Sequence, residues 1–267
     1  MPKRKGLEVL EDQTIDQALR PAVWDEYVGQ EKIKNNLRIM IEAARKRNEA
    51  ADHLLFSGPA GLGKTTLAYL VAKELGSPIR TTSGPALEKM GDLAAILTNL
   101  EAGEILFIDE AHRVNRAIEE VLYPAMESRK LHLIIGKGPS ARTLTLDLPP
   151  FTLIAATTRE NLLSQPLRSR FGATFRLGYY DEADIRKIVE RSAGILKMKI
   201  EKDAVDILAR AARATPRIAN RILKRARDYS EVHGRGVVDE AVSRKTLELL
   251  EIDGKGLEPQ DRKLLAL

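Results

Sequence analysis

The segment "FSGPAGLGKTTLAYLVAKEL", residues 56–75, restricts the possible folds more than any other part of the chain. A short apolar run, "HLLFS" at 53–57, leads into it, and a helix-like pattern from Thr65 to Leu75 leads out. Between them Gly58-x-x-x-x-Gly63-Lys64-Thr65 has the phosphate-loop spacing, which requires a strand before it and a helix after it. Gly58, Gly61 and Gly63 let the backbone wrap closely, so that several N–H groups point at one anion, and the helix adds its positive end. Lys64 is placed to neutralise β and γ phosphates, and the Thr65 hydroxyl to ligate Mg²⁺. The alternative, a glycine-rich turn with an incidental lysine, does not account for the correct strand and helix flanks.

The same alternation of strand and helix continues. "PIRTT" at 78–82, "EILFID" at 104–109, "FTLIAATT" at 151–158 and "ATFRLGYY" at 173–180 read as strands. This predicts an α/β domain with a parallel sheet flanked by helices on both faces. One insertion breaks the pattern: "LHLIIGKGPSARTLTLDL", at about 131–148, has apolar residues on both sides of a Gly-Lys-Gly-Pro turn, as in a β-hairpin. After Asp181 the segments read as amphipathic helices with no strand among them. Asp181 and Thr215 suit N-caps, Pro216 a first helical position and Gly234 a stop. The expected division is an N-terminal tail at 1–18, a large α/β domain at 19–180, a smaller all-α domain at 181–253 and a further element at 254–267.

Composition removes several classes of function. The chain of 267 residues has no cysteine, which excludes disulfides, thiolate metal sites and cysteine nucleophiles. His53, His112, His132 and His233 are scattered, with no spacing suited to a metal cage. No apolar run approaches the about 20 residues that cross a bilayer, and "MPKRKGLEVLEDQ" lacks the apolar centre of a secretory signal. A cytoplasmic setting is expected. The net charge of +5 is compatible with a nucleic-acid partner without demonstrating one. Seven basic residues and no acidic one lie between Arg210 and Arg227, most of them read as a solvated helix face.

Hydrolysis needs a carboxylate at the end of a neighbouring buried strand, and "ILFIDEAH" supplies Asp109 and Glu110. Asp109 is placed to hold the metal through water, and Glu110 to orient and activate the attacking water. Two acids at a strand end are alone equally an ordinary polar stop; beside the phosphate loop, hydrolysis is the better reading. "IAATTR" brings Thr157, Thr158 and Arg159 to a third strand end, where a hydroxyl senses the γ-phosphate or positions water. Arg217 falls in the first turn of a helix, where the dipole disfavours a cation, so an anion docked at that helix start would explain it. Arg168 and Arg170, in "SQPLRSRFG", are either surface arginines or reach the phosphates of a neighbouring subunit.

The order of phosphate loop, "FIDE", "ATTR", "RSRFG" and a helical segment with "TPRIANR" resembles the AAA+ ATPases, with a parallel sheet followed by a helical lid. More narrowly it is similar to the RuvB family, ring-forming motors that drive branch migration of Holliday junctions. "LRPAVWDEYVGQE" at 19–31, "LYPAMES" at 122–128, "IGKGPSAR" at 135–142, "LPPFTLIAATTR" at 148–159 and "TPRIANRILKRARD" at 215–228 carry that likeness, which spans about 19–264.

The resemblance implies ATP and Mg²⁺. Leu19, Arg20 and Tyr180 would border the base and sugar. Gly61, Gly63, Lys64, Thr65 and Thr66 would hold phosphates, with Thr65 and Asp109 at the metal. Thr158 would be the first sensor and Arg217 the second, and Arg170 the finger inserted into the adjacent subunit, with Arg168 the less favoured candidate. Glu127, Ser128 and Arg129 border the subunit interface and join the nucleotide-site candidates. A homo-oligomeric ring, a hexamer on the family pattern, is implied, together with a four-way DNA junction and a RuvA-like protein docking on the hairpin through Ile134, Ile135, Leu144 and Leu146. Those four side chains are equally readable as packed against their own domain.

Glu160-Asn161 after "AATTR", and Ser128, Arg129 and His132, depart from the family pattern beside the interface and the hairpin. "LEPQDRKLLAL" resembles only the opening helix of the family's DNA-gripping winged-helix domain, so at 254–267 only the start of that domain is expected; ATP chemistry is expected to survive, whereas the resemblance does not extend to autonomous DNA binding and translocation. Two other functions compete: a clamp-loader-like or other AAA+ remodeller of proteins, and a nucleotide-binding regulator without turnover.

Overall fold

The computed structural model describes residues 15–135, 142–234 and 236–266, with only the backbone at Ile134 and Ile135. Its contacts group into two units. One holds 31–60 and 64–178, the other 15–30, 61–63 and the residues from Tyr179 on.

The first unit is the α/β part. In chain order it contains α1 (Glu31–Arg47), β1 (Leu54–Ser57), α2 (Lys64–Leu75), β2 (Ile79–Ser83), α3 (Met90–Thr98), β3 (Ile105–Asp109), α4 (Arg116–Ser128), β4 (Lys130–Ile135), β5 (Arg142–Asp147), β6 (Thr152–Thr157), the short α5 (Gln165–Arg168) and β7 (Ala173–Arg176). Five strands form one parallel sheet in the order β2-β3-β6-β1-β7. All of β1 and β6 is buried on both faces, which is why these strands appear in the sequence as unbroken apolar runs and not as alternating ones. On one face Leu55, Leu106, Ile108, Leu153 and Ala155 join Leu93 and Leu97 of α3 and Ile118, Leu122 and Ala125 of α4 in a single cluster. Against the sheet also lies α2, through contacts with β3 and β6. Register pairs Ser57 with Thr157 and Ser83 with Asp109, so the strands end along a common edge.

The hairpin of β4 and β5 is antiparallel, with Leu131 opposite Leu146 and Leu133 opposite Leu144. Directly opposed residues share a face, and that face becomes more open toward the turn. Leu131 is fully buried, Leu133 and Leu146 pack on the α/β cluster, and Leu144 is 41% exposed. Of the four docking candidates, Leu146 is thus held by its own domain and Leu144 is presented. The side chains of Ile134 and Ile135, and the turn at 136–141, lie outside the described residues.

The second unit contains α6 (Glu182–Ile195), β8 (Lys199–Ile200), α7 (Lys202–Ala211), α8 (Pro216–His233), β9 (Val237–Val238), α9 (Glu240–Leu249) and α10 (Pro259–Leu265). Asp181 caps α6, accepting from the Asp184 N–H at 2.7 Å, and Asp239 caps α9 in the same way. Two sequence expectations need correction. A parallel pair of two-residue strands, β8 with β9, lies among the helices where none was expected; two residues are too few to show a period of two. Thr215 does occupy the N-cap position of α8, but its side chain does not cap, because the hydroxyl donates to the Arg213 carbonyl at 2.9 Å.

Candidate active site

In the α/β unit the phosphate loop leaves the end of β1, and Gly58 keeps hold of the sheet through its N–H, which donates to the Thr157 carbonyl at 3.2 Å. The Lys64 ammonium is 7% exposed as a residue and folds back into the loop, donating to the carbonyls of Gly58 and Pro59 at 2.7 and 2.8 Å. Thr65 and Thr66 follow in the first turn of α2, both half-buried. The Thr65 hydroxyl donates to Oδ2 of Asp109 at 3.2 Å, which brings together the two residues assigned to a metal. The other carboxylate oxygen of Asp109 accepts the Glu110 N–H at 2.9 Å.

Glu110 has a left-handed backbone, φ +51° and ψ +43°, a sparsely populated conformation for a residue with a Cβ. This ends β3 abruptly and starts the tight turn Ala111–Arg113. Its Oε2 accepts from the Thr158 hydroxyl at 3.4 Å and lies 3.4 Å from Nε2 of His112. Thr157 is completely buried, and its hydroxyl accepts the Arg159 N–H at 3.0 Å. Lys64, Thr65, Asp109, Glu110, Thr157 and Thr158 therefore gather at the carboxyl ends of β1, β3 and β6. Beyond them, two hydrogen bonds from Arg176, aided by the Ser57 hydroxyl, push the Glu160 carboxyl down to about 2.

Arg170 lies apart from that cluster and is held within its own domain. Its Nη1 donates to the Pro166 carbonyl at 2.6 Å, its Nη2 pairs with Glu127 at 2.9 Å, and the guanidinium stands 4.6 Å above the Tyr123 ring. Glu127 is thus the partner of Arg170. Ser128 donates to the Pro124 carbonyl at 3.0 Å, and Arg129 closes α4 in a left-handed conformation, its carbonyl accepting from Leu148. Arg168 ends α5 with its Nε buried and without a partner among the described residues.

The second unit carries the other assigned residues. Leu19 is buried, its carbonyl accepting from Arg191 at 3.0 Å, while Arg20 is exposed. The Tyr180 hydroxyl donates to the Leu62 carbonyl at 3.3 Å and also meets the Tyr27 hydroxyl at 3.3 Å. Burial pushes both phenols above their ordinary range. Gly63 has φ +97°, and a Cβ there would stand 2.6 Å from the Tyr27 hydroxyl; Gly61, at φ +82°, would meet Thr215 and Arg217 at 2.9 and 3.0 Å. The Arg217 N–H, expected to be open to an anion, donates instead to the Gly61 carbonyl at 3.4 Å. Its neighbours Ile218 and Ala219 donate to Thr215. The start of α8 thus keeps its own donors, and the exposed guanidinium of Arg217 makes no ion pair among the described residues.

Two residues had no assigned role in the sequence. Tyr27 lies inside "LRPAVWDEYVGQE", with no local signal of its contact to the loop. His112 belongs to the "DEAH" string, where its position after two acids was the available clue.

Residues 19–177 match the family described as the Holliday junction DNA helicase RuvB P-loop domain, and residues 180–253 match the RuvB AAA lid domain. Among solved structures, the Thermotoga maritima RuvB Holliday junction branch migration motor is 46% identical with a TM-score of 0.84. The alignment covers 93% of this chain and 78% of that one. The K64R and R170A variants of the same protein match at the same identity and coverage, with TM-scores of 0.85 and 0.84. The five-stranded parallel sheet flanked by helices and the helical lid that follows are those of a P-loop AAA+ protein, and the chain belongs to the RuvB family.

Proposed function

We propose that this chain is the ATP-hydrolysing motor subunit of a RuvAB-type complex that drives branch migration of four-way DNA junctions. The observation that carries the proposal is the meeting of Lys64, Thr65, Asp109, Glu110 and Thr158 at the ends of three strands of one sheet. Open α/β sheets bind ligands at that edge. The paired Thr65 hydroxyl and Asp109 carboxylate fit Mg²⁺, a hard cation that takes few protein oxygens and keeps water and phosphate oxygens for the rest. When bound, the ion neutralises phosphate charge and orients the chain of phosphates.

The residues present do the remainder. Lys64 exchanges its two loop carbonyls for phosphate oxygens. Glu110 orients the attacking water and takes its proton, and Thr158 reads the γ-phosphate from the next strand. The family likeness extends the proposal to Gly61, Gly63 and Thr66 at the phosphates, Leu19, Arg20 and Tyr180 at the base and sugar, and Arg217 as second sensor. Arg170, with Glu127, Ser128 and Arg129, belongs to the border of the next subunit in a homo-oligomeric ring of six. Leu144 is the exposed apolar contact offered to a RuvA-type protein.

The test is steady-state ATP hydrolysis, alone and with a RuvA-type protein plus a synthetic four-way junction. Stimulation lost in Glu110→Gln and Arg170→Ala is expected. No turnover by the parent would refute the hydrolytic reading, parent-like turnover by Glu110→Gln would refute the role of Glu110, and turnover unmoved by partner and junction would refute the junction motor.

A further inference from the structure

His112 occupies the turn that follows Glu110, its side chain 8% exposed between two polar partners. Its Nδ1 is 2.9 Å from the Thr157 hydroxyl, and its Nε2 faces Oε2 of Glu110 at 3.4 Å. The pattern of donors sets the tautomer. Thr157 Oγ1 already accepts the Arg159 N–H. A hydroxyl keeps a second lone pair after one bond, so Thr157 alone leaves the choice open, and the carboxylate beside Nε2, which only accepts, makes it. A neutral ring therefore carries its N–H on Nε2, 3.4 Å from Oε2 of Glu110, and leaves Nδ1 to accept from Thr157. The same Oε2 receives the Thr158 hydroxyl. Two donors on one oxygen draw basicity away from it and leave Oε1 as the proton-accepting atom.

We propose that His112 is a positioning residue for Glu110. The ring, held at Nδ1 by Thr157, donates from Nε2 to Oε2 and turns Oε1 toward the water to be activated. This rests on the reading of Glu110 as the activating carboxylate. Thr157 and Thr158 are adjacent at the end of β6, and each grips Glu110, one through the ring and the other directly. The strand end that carries the γ-phosphate sensor therefore also sets the carboxylate, and any displacement of it reaches Oε1. At 3.4 Å both contacts are long, which leaves the carboxylate oriented and able to tighten as the site closes.

The first test needs no nucleotide. Imidazole ¹⁵N spectra of the free protein are expected to show His112 protonated at Nε2. That resonance should move in Glu110→Gln, and Thr157→Val should mix the tautomers. In turnover, His112→Ala is expected to lower kcat roughly tenfold, with affinity for a fluorescent ATP analogue within about twofold of the parent. His112→Gln, whose amide N–H can reach Oε2, should recover most of the rate. A proton on Nδ1, an Nε2 signal indifferent to Glu110→Gln, or parent-like kcat in His112→Ala would each overturn the assignment. Should His112→Ala fail to fold, the spectra and the Gln variant decide. If Glu110→Gln itself turns over like the parent, the reading of Glu110 fails; if Glu110→Gln is inactive while His112→Ala is not, only the positioning role fails.

Discussion

Replacing Glu160 by Gln probes how the loop after Thr158 is anchored. Glu160 follows Thr158 by two residues, and Arg176, at the end of β7, binds its carboxylate with Nε and Nη2 at 3.0 and 2.8 Å. The Ser57 hydroxyl, just before the phosphate loop, favours the same charged form. Together they lower the carboxyl from 4.5 to about 2, a shift that linkage converts to roughly 3 kcal/mol without screening. Glu160 is 19% exposed but its partner Arg176 is 77% exposed, so solvent reduces this to on the order of 1 kcal/mol. Because the folded-state pKa lies below the unfolded one, the contribution is complete above the unfolded value. It is lost as pH falls from there toward 2. Urea unfolding of the parent and Glu160→Gln at pH 7 and pH 4, with Arg176→Met and the double variant, measures it. A deficit of about 1 kcal/mol at pH 7 is expected, smaller at pH 4 and largely absent from the Arg176→Met background. An equal deficit at both pH values, or full additivity of the two substitutions, would refute the reasoning.

Other expectations follow from single contacts. Gly63→Ala forces a Cβ into φ +97° and to 2.6 Å from the Tyr27 hydroxyl; a loss of roughly 1–2 kcal/mol in thermal or urea unfolding is expected, together with weaker binding of a fluorescent ATP analogue. Leu106→Ala empties a fully buried position of β3 in the main cluster and should cost about 3 kcal/mol in urea unfolding with ATP affinity retained by the folded fraction. Arg170→Ala removes an ion pair whose partner Glu127 is 56% exposed, a carbonyl hydrogen bond and a ring contact, so stability should fall by about 1–2 kcal/mol. Junction-stimulated hydrolysis should fall by about a thousandfold or more at unchanged ATP affinity, as for other arginine fingers.

The parts of this molecule legible in the sequence are those that one element specifies by itself. The runs "HLLFS", "EILFID" and "FTLIAATT" become β1, β3 and β6 because a strand buried on both faces is apolar through its middle, and the polar residues that follow Phe56, Ile108 and Ala156 mark where each one ends. That is why Asp109, Glu110, Thr157 and Thr158 could be picked out as a set without knowing the sheet order. The phosphate loop is readable for a related reason: the glycine spacing, Lys64 and Thr65 are all fixed by the geometry of one turn. The short β8 and β9 carry no such signature, since two residues are held by the backbone of their neighbours and not by a pattern of their own.

What local pattern could not reveal are side chains whose partner arrives from another element. Thr215 is by type a helix cap, yet its hydroxyl turns back to donate to the Arg213 carbonyl and accepts no N–H of α8, and the competition between a cap and a local turn is decided by backbone direction, not by composition. Glu127 and Arg170 were placed separately at a subunit border, and only the packing of α4 near α5 shows that they neutralise each other within one chain. On the proposed reading of Arg170 as a finger the consequence is mechanistic: the side chain starts from a clamp made by Glu127, Tyr123 and the Pro166 carbonyl. Releasing it breaks one partly exposed ion pair, one carbonyl hydrogen bond and one ring contact, about 1–2 kcal/mol. That is small beside the transition-state stabilisation an inserted arginine supplies, so the clamp can preset the side chain without preventing its transfer.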